Sequence, residues 1–406
     1  MKGQQKLDRN VILTGLTSFF TDVSSEMLYP LIQAFIAMIM TAQKALLGPV
    51  LGIIEGIAES TASLIKVFAG YYSDRLEKRK APAIAGYTIS AISKAVLFAA
   101  VYGWPLVLAS RFLDRVGKGI RTAPRDALIS ESTPGNLQGR AFGFHRAMDF
   151  AGAFAGALIC WFVVQRYIDP VTKNLRDVGA FYTLFAISII PAVIGVAVLF
   201  FIREKKHAPG AGNGKPRPNL DLRKYDSNLK LFFFVQLLFT LGNSSNQFLL
   251  LRSMELGHLL STVILMYIAF NLSTTLLSSA FGALSDRIGR KKLLVAGYTL
   301  YAVIYIAFGF VPGSSNWLLW IFWPIYGIYY AMTEGVEKAF VSDIAPADSK
   351  ATALGFYHTI TGIALLPASL IAGFLFTLHP GAPFVFGGAM ALIAVAILAA
   401  GVREKI

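Results

Sequence analysis

Apolar residues fill this chain in long blocks, broken at intervals by short polar or basic stretches. The blocks lie near residues 11–38, 47–72, 82–102, 105–130, 139–165 and 180–202, then 228–251, 258–284, 292–311, 317–342, 351–378 and 384–402. A helix rising ~1.5 Å per residue needs about 20 apolar residues to cross the hydrocarbon of a bilayer. Each block is of that order, so the pattern predicts an all-α membrane protein with twelve transmembrane helices, spans one to twelve in chain order. Between spans six and seven, residues 207–227 (HAPGAGNGKPRPNLDLRKYDS) are rich in Pro, Gly and charge and read as a cytoplasmic linker. That reading divides the chain into six-helix bundles at 1–206 and 228–406.

Span four departs from the apolar pattern. It contains the stretch 111–126, RFLDRVGKGIRTAPRD. At about 100° per residue, Arg111, Asp114, Arg115, Lys118, Arg121, Arg125 and Asp126 share an arc of roughly 140°. Phe112, Leu113, Val116, Ile120, Ala123 and Ala127 take the opposite face. In a soluble protein this would be a solvated surface helix. In a chain that is 55% hydrophobic and 15% charged, it predicts a charged stripe facing a wet cavity inside the membrane. The rise per residue puts Arg111 about 9 Å, Arg115 about 15 Å and Lys118 about 20 Å below the periplasmic end.

Charge distribution sets the topology. The 406 residues carry a net charge of +14, which in isolation would fit a nucleic-acid binder. The basic residues instead crowd alternate loops: Lys2, Lys6 and Arg9, then Arg75, Lys78, Arg79 and Lys80, the 203–224 segment, and Arg287, Arg290, Lys291 and Lys292. The loops VYGW at 101–104 and VPGSSNW at 311–317 carry no Lys or Arg. This asymmetry predicts cytoplasmic termini and linker in a multi-pass protein of the cell membrane, a bacterial inner membrane, with no nucleic-acid role. The first apolar run is too long for a cleavable signal peptide and has no small-residue cleavage site. One cysteine, Cys160, leaves no intrachain disulfide.

The two halves repeat each other. GYYSDRLEKRK begins at Gly70 and GALSDRIGRKK at Gly282, an offset of 212. The same offset relates LISESTP, ending at Pro134, to FVSDIAP, ending at Pro346, and AFGF from Ala141 to ALGF from Ala353. Three matches at one offset indicate a duplicated six-helix unit, an architecture in which transporters bind substrate between the repeats.

On these residues the chain resembles the major facilitator superfamily from end to end. Residues Gly282 to Lys291 fit the family's G-x-x-x-D-R-x-G-R-K loop motif throughout, while the first copy has Glu77 at the second glycine. Span four resembles the R-x-x-Q-G-x-G-x-G pattern, with Arg111, Gly117 and Gly119 in register and Asp114 and Arg115 in place of Gln and Gly. Gly152 and Gly156 keep the spacing of the antiporter G-x-x-x-G-P pattern, with Ala157 at the proline. The resemblance implies alternating access and a cytoplasmic gate. That gate would comprise Gly70, Asp74 and Arg75 with Glu131, and Gly282, Asp286 and Arg287 with Asp343. Arg75 would meet Glu131, and Arg287 would meet Asp343.

Acids complement the span-four cations. Asp22 and Glu26 lie near mid-membrane on span one, beside Ser18, Ser25 and Tyr29; Glu55 and Glu59 lie on span two, with Lys66 deeper. Together with the span-four stripe, which carries a net +3, these charges sum to zero. One uncompensated charge at a helix centre costs about 2.5–3.5 kcal/mol on insertion scales, so the set must pair in a wet cavity. Asp22, Glu26, Glu55 and Glu59 are the candidate proton-coupling acids. Candidate substrate contacts are Arg111, Arg115, Lys118, Tyr29 and Arg146, with Asn246, Tyr330 and Glu334 from the second half. Asn246 matches Glu26 in a repeated Ser-Ser pair, and span ten presents Tyr326, Tyr330, Glu334, Glu337 and Lys338 along one face. His145 and Asp149, four apart, could share a metal or a proton, though packing is the commoner fate of a histidine. Lys94 in span three has no partner that the pattern names. The competing reading of the whole set is static salt bridging.

The expected function is secondary active transport of a small organic anion, proton-coupled, by a monomer in membrane lipid, without cofactor or resident metal. Multidrug efflux by proton antiport is the alternative, since acids on spans one and two also suit cationic drugs. Metal or metal-chelate transport through His145, Asp149, Asp22 and His358 is a third. No HExxH, Walker loop, Cys/His cluster or appended soluble domain supports an enzyme.

Overall fold

The computed structural model describes residues 7–76, 78–134, 138–169, 178–204, 225–346 and 350–404; the side chains of 70–76, 138–139 and 351 also fall outside the described set. The predicted spans are helical. Span one is α1 (Arg9–Leu28), a 3-10 turn (Tyr29–Leu31) and α2 (Ile32–Ile39). Then come α3 (Leu47–Leu76), α4 (Lys80–Val96, prolonged in 3-10 form to Tyr102), α5 (Trp104–Glu131), α6 (Gln138–Tyr167) and α7 (Gly179–Leu199). Span seven is split into α8 (Ser227–Gly242) and α9 (Gln247–Glu255). The rest are α10 (Leu260–Ile288), α11 (Arg290–Phe310), α12 (Leu319–Ile344), α13 (Lys350–Leu378) and α14 (Ala382–Gly401). The architecture is that of a twelve-helix all-α membrane protein. Seven helices among the described residues are long and apolar enough to cross a membrane by composition alone. The other spans are the ones that carry the charge or a break.

Spans one and seven are both interrupted near a Ser-Ser pair: the break at Tyr29–Leu31 follows Ser24 and Ser25, and the break at residues 243–246 contains Ser244 and Ser245. In span one Pro30 has no N–H to continue the ladder. Span seven breaks without proline: Asn243 leaves the helical region at φ −95°, ψ 81°. The Gly242 carbonyl, freed by the break, accepts from the Tyr301 hydroxyl at 2.9 Å. Inside a bilayer such a carbonyl needs a partner from the protein, and this one has it.

Contacts group the chain into two compact units. The first comprises Met1–Leu31, Ile65–Ile168 and Leu175–Arg217; the second comprises Ile32–Leu64, Asp169–Asn174 and Pro218–Ile406. In the first unit, glycines let backbones touch, the usual device where lipid offers no hydrophobic drive. A Cβ at Gly156 would fall 2.5 Å from the Val23 carbonyl, so α6 lies directly on α1. A Cβ at Gly86 would fall 2.6 Å from the Gly117 carbonyl, joining α4 to α5. In the second unit, Gly48, Gly52 and Gly56 lay the start of α3 against Gly373, Ser369 and Leu366 of α13. That contact is why residues 32–64, early in the sequence, pack with late ones.

Each unit carries the same clasp at one end. In the first, Asn10 Nδ2 donates to the Arg203 carbonyl at 2.8 Å and Arg203 N donates back to Asn10 Oδ1 at 3.1 Å. In the second, Asn228 Nδ2 donates to the Arg403 carbonyl at 2.8 Å and Arg403 N returns to Asn228 Oδ1 at 2.6 Å. The next residues continue the match. Glu204 accepts from the backbone N–H groups of Arg79 and Lys80, and Glu404 accepts from Arg290 N at 2.6 Å. A carboxylate at a helix N-terminus meets free N–H groups and the positive end of the dipole. Duplication is thus visible in hydrogen bonds as well as in motif spacing.

Candidate functional site

The α4–α5 contact positions the charged stripe. With the backbones touching at Gly86 and Gly117, the residues one and two turns along face each other. Lys94, which the sequence left without a partner, donates to Asp114 Oδ1 at 2.7 Å and to Ser25 Oγ at 3.2 Å. The Arg115 guanidinium reaches the other Asp114 oxygen only at 3.9 Å. Ser90 and Ser110 hydroxyls cross between the helices to the Asp114 and Ser93 carbonyls at 3.1 and 2.7 Å. Arg121 donates to Ser90 Oγ at 2.5 Å and stacks on the Tyr87 ring, its Cζ 4.4 Å from the centroid. Within the described spans of this unit, Lys94, Arg111, Arg115 and Arg121 are the buried basic side chains, and Asp114 is the buried acid.

Other candidates come together around span one. Arg111 lies over the ring of Tyr29 at the 3-10 break, 5.4 Å from its centroid, so two predicted substrate contacts meet. Asp22, half-buried, lies within electrostatic reach of Glu26, Asp149, Lys118 and Arg121. Arg146 stacks on Phe150 of its own helix at 4.8 Å. Arg125 pairs with neighbouring Asp126 at 2.8 Å.

In the second unit the break in span seven is the polar centre. Asn246 Oδ1 accepts from Tyr326 at 2.8 Å and from Tyr330 at 3.4 Å. Ser245 donates to Glu55 Oε2 at 2.9 Å, and Glu55 is fully buried. Asn243 donates to Tyr329 at 3.0 Å, and Ser244 shares a 3.1 Å hydrogen bond with Tyr305. Glu334 lies within electrostatic reach of Tyr330; Glu59, like Glu334, is half-buried. A further acid, Glu337, is held by two tyrosines: Tyr298 donates to Oε1 at 2.7 Å and Tyr357 to Oε2 at 2.5 Å. Among the described residues, no three His, Cys, Asp or Glu side chains converge as a metal-binding group.

Comparison with known proteins decides the family. The profile of the Major Facilitator Superfamily matches residues 14–253 and again 232–405. The chain belongs to the major facilitator superfamily. It is 35% identical over 401 residues to an uncharacterized MFS-type transporter of Methanocaldococcus jannaschii, covering 97% of this chain and 94% of that one. Multidrug resistance protein 1 of Bacillus subtilis is 30% identical over 148 residues, 36% of this chain and 38% of that one. Among solved structures, a D-xylose-proton symporter superposes with TM-score 0.73 at 18% identity, covering 97% of each chain. This protein is therefore a multi-pass membrane transporter of the facilitator fold, in a family of transporters and not of enzymes.

The facilitator loop motifs can now be located. Gly70, Asp74 and Arg75 of the first copy lie at the end of α3 with their side chains outside the described set, and Glu77 lies outside the described residues. Their predicted partner Glu131 accepts from Arg79 Nε at 3.1 Å. In the second copy, Arg287 is exposed and the cation on Asp343 is Arg290, which also holds Asp286 at 3.2 Å. The sequence assigned Asp343 to Arg287. Arg290 takes its place because α11 begins at that residue, aiming its side chain across to the end of α12. Gly289 explains the motif's second glycine: its φ is +96°, a left-handed value that disfavours a Cβ. Gly282 has open space around its Cα.

Proposed function

We propose that this facilitator moves a small organic anion across the membrane by alternating access, coupled to protons. The carrying observation is the excess of buried positive charge in the described spans of the first unit: Lys94, Arg111, Arg115 and Arg121 against one buried carboxylate, Asp114, which Lys94 already engages. Buried cations in a membrane are costly and are kept where function uses them. Arg111 and Arg115 have planar forks suited to carboxylate or phosphate, and Lys118 supplies a point charge. Asn246, Tyr330 and Glu334 are the polar side chains that the second unit offers to a solute. Asp22, Glu26, Glu55 and Glu59 are the acids for proton coupling, and Glu55 has the added support of its bond to the broken span. Breaks near a Ser-Ser pair in spans one and seven fit this reading, since interrupted helices in corresponding repeats mark transport sites. The terminal clasps, on this reading, face the cytoplasm, in keeping with the basic loops beside them.

The test is uptake by purified protein in proteoliposomes, with succinate, glycerol 3-phosphate and inorganic phosphate as probes, with and without an inward proton gradient. Accumulation of one of these only with the gradient supports the reading. Glu55→Gln or Glu59→Gln should abolish accumulation but retain exchange. The similarity to a multidrug resistance protein over about a third of the chain favours a second reading, drug efflux. Gradient-driven extrusion of lipophilic cations, with none of the anions carried, would establish it instead.

A further inference from the structure

Span five holds two titratable side chains that anion binding leaves unused. His145 and Asp149 lie on the same stripe of α6 as Gly152 and Gly156, the glycines that seat this helix on α1. A Cβ at Gly152 would fall 3.1 Å from the Asp22 Cβ, which brings the acid of span one beside this stripe. His145 is buried, only 4% exposed. Its Nδ1 is 3.6 Å from Asp149 Oδ2, close enough for an ion pair but too long for a hydrogen bond. The far atoms of both groups, His145 Nε2 and Asp149 Oδ1, are buried and make no hydrogen bond among the described residues. A buried donor and acceptor left this way, four residues apart, call for a use beyond packing.

The surroundings are charged on each side that packs against the pair. From α1 come Asp22 and Glu26; from α5 come Lys118, Arg121, Arg125 and Asp126; α6 itself adds Arg146. Tyr87 of α4 stands beside Arg125, and α7 contributes no charged residue.

We propose that His145 and Asp149 form a proton-binding site, with Asp22 as its partner across the α1–α6 contact, and that its occupancy controls how firmly Lys118 is held. This rests on the proton-coupled anion reading and adds to the acids named there a further proton site that includes a histidine. With His145 neutral, the cluster sets the carboxyl groups of Asp149 and Asp22 together without a cation of its own, and Lys118 lies within electrostatic reach of Asp22. A proton added to the imidazole makes a cation that draws in Asp149, closing the loose 3.6 Å gap. The cluster then holds Lys118 less strongly, and Lys118 turns to the anion. Proton and anion bind cooperatively, each raising the affinity of the other by the same factor.

The experiment is an infrared difference titration of the full chain in proteoliposomes, in which the proton itself is the probe. Wild type should show imidazole ring bands changing together with a carboxylate band as pH falls. His145→Gln should lose one imidazole component, leaving that of the other four histidines, Asp149→Asn should lose the carboxylate component that changes with it, and both should leave helix content and Lys94-dependent stability unaltered. A pH-dependent ring signal of the same size in His145→Gln as in wild type overturns the proposal, since the other four histidines alone would then account for it. The transport arm separates the two readings. If wild type accumulates succinate, glycerol 3-phosphate or phosphate with the gradient and both variants do so equally, proton coupling stands and this site falls. If wild type gives the titration but no gradient-driven uptake of any probe, the proton site stands and the transport reading falls.

Discussion

Lys94 Nζ lies 2.7 Å from Asp114 Oδ1, a buried ion pair that crosses from the third span to the fourth. Removing Asp114 strands Lys94 in a nonpolar setting, and removing Lys94 leaves Asp114 with only the longer 3.9 Å contact to Arg115 as its ion pair. Lys94→Met or Asp114→Asn alone is expected to cost about 3–5 kcal/mol. The double variant should regain most of that loss, because no charge is stranded. Unfolding of the purified variants in detergent measures it, and strictly additive losses would show that the two side chains act independently.

Arg115→Lys keeps the charge and gives up the planar fork. Its expected effect is weaker binding of the transported anion by about 1–3 kcal/mol, with folding intact. Equilibrium binding of the anion carried in the proteoliposome assay checks this. Unchanged affinity in a well-folded variant would remove Arg115 from the binding set.

Two glycines of one motif should respond differently. Gly289→Ala meets both an unfavourable φ and Glu404 Oε2, which would lie 2.8 Å from the new Cβ. A loss of about 1 kcal/mol or more is expected. Gly282→Ala meets nothing within 4 Å and sits in a helix, where alanine is the better former. Thermal midpoints of the two variants, measured side by side, should separate. Equal midpoints would show that the turn tolerates a side chain.

Glu337 depends on its two hydroxyl donors. Tyr298→Phe and Tyr357→Phe should each destabilise by about 1–3 kcal/mol, and the pair together by more than either. Anion affinity in the first unit should not change. A variant that unfolds normally but no longer binds anion would instead place Glu337 in the transport site.

Much of this architecture can be read from the chain alone, because hydropathy, basic loops and a 212-residue offset each follow from local sequence. Individual partners are harder. Asp114 shares the charged stripe of its own helix, yet Lys94, twenty residues earlier, takes it once Gly86 and Gly117 bring the backbones together. The split in span one is announced by Pro30, whereas the split at Asn243 has no proline and rests on tertiary support from Tyr301. Arg287 and Arg290 are equally basic in sequence, and only the start of α11 decides which one reaches Asp343.

Because no side chain separates Gly86 from Gly117, and serines and Lys94 stitch the same pair of helices further along, α4 and α5 can neither slide nor pivot on each other. They travel as one rigid block. Any conformational cycle must then carry all the span-four cations at once, in fixed spacing, past whatever partners α1 and α6 present. The span-four stripe is therefore a preset ruler of charge, its spacing held by the contact between α4 and α5.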